Sequence, residues 1–447
     1  MKRTYVFLFA VLLSINLFAQ ESEDKNLDQG NSGSKIEVSG FGYYMFGQLM
    51  SGIYGDDWEG VSTSFNHLWL NTSLLHLNFE SNATDWFTAR LGLEFYVTFP
   101  LKGSNAMDKA SFFRTYKSYL AEAAGIMHWE FDNPVISSVI FKNGMLPYTI
   151  NPEVKTLGNY LFRSTVHPAT VHNKVDYPWA DLLGGVVDVG FLENKLTFQA
   201  SLSTEFNYVP FFDFTPSVGL FFKPNEIIDI GGAIAFYHAL QANGALMEDS
   251  LGERWQGEKI DFRAIFDPKP IFGGMDFLGK DELKIYAEAA LLGLEATLEV
   301  DTSGLASLRA RDTTDLKNLV FPEPSILQRI PFMIGINLPT WKILDLLSVE
   351  LEWFFSPYAN NWFGQFEGQL AETKAPASLD RWDNYINKDN FKWSVNVRKS
   401  IEKFEIRALF SSDHTVYLMN NVSNGNFEQT MKRPKDWQWL VQLRYNL

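Results

Sequence analysis

Twelve charged or strongly polar side chains recur at alternate positions of otherwise apolar runs in this 447-residue chain: Arg90, Glu94, Asp188, Gln199, Asp261, Arg263, Glu350, Glu352, Arg398, Glu405, Arg407 and Arg444. No bond-breaking step is implied by such a set. Arginines and carboxylates facing one another across water set a transverse field, and that field sorts solutes by charge and size. The plainer alternative is that the pairs only keep a wall hydrated and rigid. Covalent and metal chemistry find little footing. There is no cysteine, so a thiolate nucleophile, a thiolate metal site and a disulfide scaffold are all excluded. The histidines, at positions 67, 76, 128, 167, 172, 238 and 414, are scattered. His167 and His172 share a stretch but lack a third ligand at helical spacing. Ser411, Ser412, Asp413 and His414 are adjacent, yet adjacency does not make a triad. No nucleophile elbow, phosphate loop or dinucleotide fingerprint is present. The expectation is no catalytic residue, no metal site, no cofactor and no enzyme activity.

The elements that must carry the twelve residues are strands. From Asp85 the chain reads DWFTARLGLEFYVTF. Phe87, Ala89, Leu91, Leu93, Phe95, Val97 and Phe99 fall on one face, and Thr88, Arg90, Gly92, Glu94, Tyr96 and Thr98 on the other. Side chains of a strand alternate between its two faces, so this run has an apolar side and a polar side. The chain ends in the same rhythm, with Trp437, Trp439, Val441, Leu443, Tyr445 and Leu447 against Gln438, Gln442 and Arg444. Counting such runs gives about sixteen strands. Among them are 35–50, 67–80, 85–99, 135–143, 184–191, 391–399 and 404–412.

Connections alternate in length. Short polar links (81–84, 130–134, 192–194, 223–226, 339–345, 400–403) take turns with long ones (51–66, 100–115, 144–181, 203–213, 239–258, 295–329, 356–390, 413–435). Residues 267–280 break the rhythm, being too long for their place among the short links. Long connections on one rim and short turns on the other are the pattern of an all-β transmembrane antiparallel up-and-down barrel. A bilayer offers no water to backbone groups, so a sheet in lipid must close on itself. The twelve polar residues then face the lumen, because near the midplane each would cost about 2–4 kcal/mol in lipid. Trp69, Phe79, Trp86, Phe99, Trp129, Trp353, Trp393 and Trp437 lie near strand ends, where interfacial girdles form. The competing fold is a secreted β-sandwich, but that needs Greek-key connections instead of this short–long rhythm.

Composition agrees. Acidic residues outnumber basic ones 53 to 38, for a net charge of −15, which disfavours nucleic acid as a partner. An aromatic content of 15% argues against disorder. The N-terminus begins Met1-Lys2-Arg3, continues into the uncharged run TYVFLFAVLLSINLF and reaches Ala19. This reads as a secretory signal cleaved after Ala19, with an uncleaved anchor as the alternative. The expected organisation is a signal peptide over 1–19, a flexible polar leader over 20–34, and one barrel over 35–447.

The terminal WQWLVQLRYNL resembles the last strand of Gram-negative outer-membrane barrels, with Leu447 in place of their usual final Phe. FKNGMLPYTIN, from Phe141 to Asn151, looks like the stretch of phosphate-selective-porin-like proteins in which a Gly and a Pro close a strand before the third long loop. The resemblance to porin-type barrels implies a bacterial outer-membrane channel for passive diffusion of small hydrophilic solutes. It also implies outer-membrane lipid, the barrel-assembly machinery and a homotrimer as partners. In porins the third loop often folds into the barrel. Here that loop is 144–181, and the residues that would form a constriction are Asn151, Glu153, Lys155, Arg163, His167, His172 and Lys174. The alternative for the loop is a cap outside the membrane. For the whole protein it is a non-transport surface barrel, an adhesin or receptor acting through its external loops.

Overall fold

Residues with period-two polarity can bury neither face of an isolated strand, so each strand needs two neighbours, and a closed sheet supplies them to all. The computed structural model describes residues 36–54, 63–98, 115–133, 135–162, 180–204, 214–237, 239–240, 257–273, 275, 277–292, 330–354, 391–413, 431 and 435–447. Within these, the strands are β1 (Ile36–Tyr54), β2 (Thr63–Thr84), β3 (Phe87–Thr98), β4 (Thr115–Glu130), β5 (Ile136–Tyr148), β6 (Ala180–Phe191), β7 (Leu196–Thr204) and β8 (Phe214–Phe222). They continue as β9 (Ile228–Tyr237), β10 (Gly257–Phe266), β11 (Ile285–Leu292), β12 (Pro331–Asn337), β13 (Leu346–Phe354), β14 (Phe391–Ile401), β15 (Phe404–Ser412) and β16 (Trp437–Asn446). Each pairs antiparallel with the next, and β16 pairs with β1, giving a closed up-and-down barrel of 16 strands.

Register assigns the two faces. Asp188 pairs with Gln199, Arg263 with Glu288, Glu350 with Ser394 and Arg398 with Arg407, so the polar phases of adjacent strands share the inner surface. The opposite phase turns outward and stays exposed, as at Phe198, Leu220, Ile230, Phe262, Ile406 and Leu443. Aromatics mark the ends of this apolar band. Trp86 stacks on Trp129 at 6.2 Å beside the short turns, and Trp69 meets Trp439 edge-on at 5.8 Å. On β1 the inner phase is itself apolar: Tyr43, Met45 and Leu49 are buried there.

Several boundaries differ from those expected. β1 and β2 are longer than 35–50 and 67–80, reaching Tyr54 and starting at Thr63. β5 does not end at Asn143 but runs through Gly144 and Pro147 to Tyr148. Gly144 permits this because its φ is +129° and a Cβ would stand 2.0 Å from the Ala123 carbonyl oxygen, a place no other residue fits. Pro147 lies near the strand end, where its missing N–H disturbs the ladder least. β6 accordingly starts at Ala180, before the expected 184. The long link between β10 and β11 is a folded turn containing a short 3-10 stretch at Lys269–Phe272. Lys269 Nζ donates to the carbonyls of Lys280 (2.8 Å) and Glu282 (2.6 Å), while the Glu282 carboxylate accepts from the Thr340 hydroxyl and the Lys342 N–H. Those bonds tie the turn to the next one, which is how an unusually long link stays compact.

Phe262 is 60% exposed in the middle of β10, and its ring lies across Gly232 of β9. Replacing it with Arg is expected to destabilise the barrel by about 2–4 kcal/mol in a bilayer. Reversible unfolding in lipid vesicles, compared with wild type, measures the difference.

Candidate functional site within the barrel

After β5 the chain turns back into the barrel over residues 149–162. Residues 149–162 carry few charges and several apolar side chains, and two patches of the inner wall receive them. Val154, Leu157 and Tyr160 pack against Ile265, Tyr286, Ala290 and Met333. Tyr148, Ile150, Leu161 and Phe162 pack against Ala233, Ala235 and Tyr237. Small residues make the room: alanines at 233, 235 and 290, and Gly335, over which the Tyr286 ring lies. The segment reverses at Gly158 and Asn159, both with positive φ, and Asn159 Oδ1 accepts the Ile150 N–H to close the loop. A Cβ on Gly158 would stand 2.8 Å from the Met333 methyl.

A segment inside a barrel has no strand partners, so its backbone donors must find side chains. Carboxylates of the inner wall accept them. Glu350 takes the N–H groups of Lys155 (2.6 Å), Thr156 (2.9 Å) and Leu157 (2.9 Å), together with the hydroxyls of Tyr286 and Ser394. Glu352 takes the Gly158 N–H (3.3 Å) and the Tyr160 hydroxyl (3.0 Å), and Glu288 takes the Tyr160 N–H (2.8 Å). Arg263 donates to the Ile150 carbonyl and Tyr237 to that of Leu161. At the end near the short turns, Lys284 Nζ bridges Glu153 (2.7 Å) and Asp281 (2.9 Å). Burial alone would push the Lys284 ammonium down, but the two carboxylates outweigh it and hold it above its ordinary value.

All twelve residues singled out in the sequence lie on the inner face, in two environments. Asp261, Glu350 and Glu352 are covered by the segment and are 0–1% exposed. The others pair with neighbours along the inner wall, Arg263 reaching the segment as well. Arg90 meets Glu80 at 2.8 Å, and Glu94 meets His76 at 3.0 Å. Asp188 accepts from Gln199 (2.7 Å) and lies 3.4 Å from Lys142. Arg263 also meets Asp229 at 2.9 Å. Arg407 and Arg444 share Glu405, and Arg398 lies 3.7 Å from Asp281. Of the residues expected in the inserted loop, Asn151 is fully buried, while Glu153 and Lys155 are half-buried. Arg163, His167, His172 and Lys174 lie outside the described residues. Ser411 donates to Asp413 at 2.7 Å, so its hydroxyl is engaged there, and His414 lies outside the described residues.

Sequence reasoning overlooked Lys259, Glu288 and Lys392, all buried on the inner face. The signal was available, since Lys259 shares the phase of Asp261 and Arg263, and Lys392 that of Arg398. Tyr160, Tyr237 and Tyr286 carried no such signal, because a tyrosine fits either face.

The described strands thus close into an antiparallel up-and-down β-barrel of 16 strands, with residues 149–162 folded inside. Solved structures to which the chain is similar include Salmonella typhi OmpF in complex with daunomycin, at 9% identity and a TM-score of 0.47, covering 94% of this chain and 100% of that one. A mutant of the Rh. blastica porin matches at 8% identity and a TM-score of 0.43, covering 92% of this chain and 100% of that one. No protein-family model and no curated protein sequence matches the chain.

Truncating Glu350 to Ala leaves three N–H groups, that of Leu157 buried, and two buried hydroxyls without their acceptor, at about 1–3 kcal/mol for each buried group left unpaired. In the cysteine-free background, Thr156→Cys is expected to react slowly with a membrane-impermeant maleimide. Adding Glu350→Ala is expected to speed labelling by about tenfold or more, since each factor of ten needs only about 1.4 kcal/mol.

Proposed function

We propose that the chain is an outer-membrane porin that lets small hydrophilic solutes cross by passive diffusion. The observation that carries this reading is the inner wall. Charged pairs from β2, β3, β5, β6, β15 and β16 stand on the side of the barrel away from residues 149–162. The apolar outer face supports a bilayer as the surrounding solvent. In the sequence, the stretch ending at Ala19 fits export through a cleaved signal peptide, and the terminal strand fits recognition by the barrel-assembly machinery.

In this reading the segment 149–162 narrows the path from the β9–β14 side. Asn151, Glu153 and Lys155 belong to the narrowing, with Arg163, His167, His172 and Lys174 further along the same connection. The twelve inner-face residues divide their work. Glu350, Glu352 and Asp261 hold or underlie the segment. Arg90, Asp188, Gln199, Arg398, Arg407 and Arg444 meet the passing solute, Glu94 and Glu405 lie buried in the wall behind them, and Arg263 joins the two groups. A homotrimer is the proposed assembly.

Purified protein in a planar bilayer is expected to insert in discrete, reproducible conductance steps. A correctly folded barrel, judged by heat-modifiable migration, that gives no steps at any voltage or salt concentration would sink the channel reading and leave a surface-binding role.

A further inference from the structure

The short-turn rim of the barrel is not uniform. Its links between β10 and β15 follow one another around the rim, and each carries large apolar side chains in the open. Ile271 and Phe272 stand on the β10–β11 link, Trp341 and Ile343 on β12–β13, and Ile401 and Phe404 at β14–β15, all 57–71% exposed. Each link also carries an exposed lysine: Lys280, Lys342 and Lys403. The three links form one unit. Lys269 holds the first through the Lys280 and Glu282 carbonyls, and the Glu282 carboxylate accepts from Thr340 and Lys342 of the second. Lys399 Nζ donates to the Lys342 carbonyl (3.2 Å), and Asp345 accepts the Ser400 N–H (2.6 Å), which ties in the third.

The aspartates of this sector are met from within it: Asp267 by Lys269 at 3.1 Å, Asp281 by Lys284 at 2.9 Å and Asp345 by Lys399 at 3.4 Å. Glu402, next to Lys403, is exposed. The β12–β13 turn holds Trp341 and Lys342 at φ of +53° and +64°. Asn and Gly take such angles readily, so the chain bears conformational strain to keep a tryptophan and a lysine at this tip. Across the rim the charge is reversed. The β2–β3 and β4–β5 turns also expose apolar side chains, at Trp86, Phe131 and Val135, but beside them stand the exposed carboxylates of Asp85, Glu130 and Asp132.

Two observations select lipid as the occupant of the lysine-bearing sector. Its apolar surface continues the outer band: Phe404 pairs with Tyr445 (rings 4.9 Å apart), in the same phase as Ile406 and Leu443. Lysine beside exposed apolar side chains on each of three linked turns matches a partner that is apolar within and anionic at its boundary, as a phospholipid leaflet is. We propose that the turns between β10 and β15 dock anionic phospholipid of the leaflet nearest the short turns, its acyl chains against Trp341, Ile343 and Phe404 and its phosphate against Lys280, Lys342 and Lys403. This rests on the outer-membrane reading. The acidic turns of β2–β5 make no such contact, so the barrel prefers anionic lipid on one sector of its rim.

The full-length protein in phosphatidylcholine vesicles tests this. An environment-sensitive fluorophore on Ile343→Cys is specific, because the chain has no other cysteine. Spin-labelled phosphatidylglycerol is expected to quench it about twofold more than spin-labelled phosphatidylcholine at equal mole fraction. The preference is expected to vanish at about 1 M salt, where charges are screened within about 3 Å. It is also expected to vanish in the variant that combines Lys280→Gln, Lys342→Gln and Lys403→Gln. The same fluorophore on Val135→Cys is expected to show no preference. Equal quenching by the two lipids at Ile343→Cys, or a preference that survives the triple variant, overturns the proposal. Quenching by aqueous iodide and by neither lipid overturns it in favour of a surface facing water. Shielding from all three quenchers overturns it in favour of a protein partner. A fluorophore on Phe262→Cys, in the middle of β10, separates the two levels: no quenching by either lipid there overturns the bilayer placement itself.

Discussion

β1 pairs with β16 from Phe41 to Ser51, and that contact leaves the sheet without an edge. Backbone donors and acceptors along the described wall are then paired from strand to strand, apart from local bulges such as those at Met50 and Ala121, so the band has little need of water for its main chain. Only under that condition can the outer phase be almost wholly apolar, because only then can the surface sit in a solvent that forms no hydrogen bonds. Closure also divides the chain's polarity into two compartments. Phe198 and Gln199 are neighbours in sequence, yet one faces out and the other accepts the Tyr148 hydroxyl inside.

Closure creates a second problem, which the inner carboxylates solve. The lumen of a barrel this wide is not filled by wall side chains alone. Residues 149–162 occupy part of it, but a peptide segment brings backbone N–H groups that no strand is free to accept. Glu350, Glu352 and Glu288 accept them, and the buried carboxylates in turn are satisfied by the segment they hold. Neither party would be stable alone: a buried carboxylate without donors is costly, and so is a buried amide without an acceptor. The gap at Gly158 and the alanines of β9 and β11 matter for the same reason, since a bulkier wall would keep the donors out of reach.

Particular residues show how far the sequence was legible. The inner placement of Arg90, Asp188, Arg398 and Arg444 followed from alternation alone, as did the pairing order, because consecutive amphipathic strands joined by short and long links have one simple way to close. The run through Gly144 and Pro147 was misread as a strand end. Both residues are ordinary strand breakers, and only the close approach of Ala123 shows why a glycine there lets β5 continue. The apolar inner phase of β1 also departs from the polar-inside rule, and no local signal marks it.

What the sequence determined by itself is everything set by a period of two: the strands, their two faces, the closed all-β architecture and which charges turn inward. That information is local, since adjacent side chains on a strand must point to opposite sides. Only the tertiary structure decided which inward charges meet one another and which are covered. Glu350 lies 193 residues beyond Leu157 in the chain, and Glu405 and Arg444 come together across a strand pair. Such meetings depend on shear, register and the path of one inserted loop, and these are settled by packing across the whole barrel rather than by any residue's neighbours in sequence.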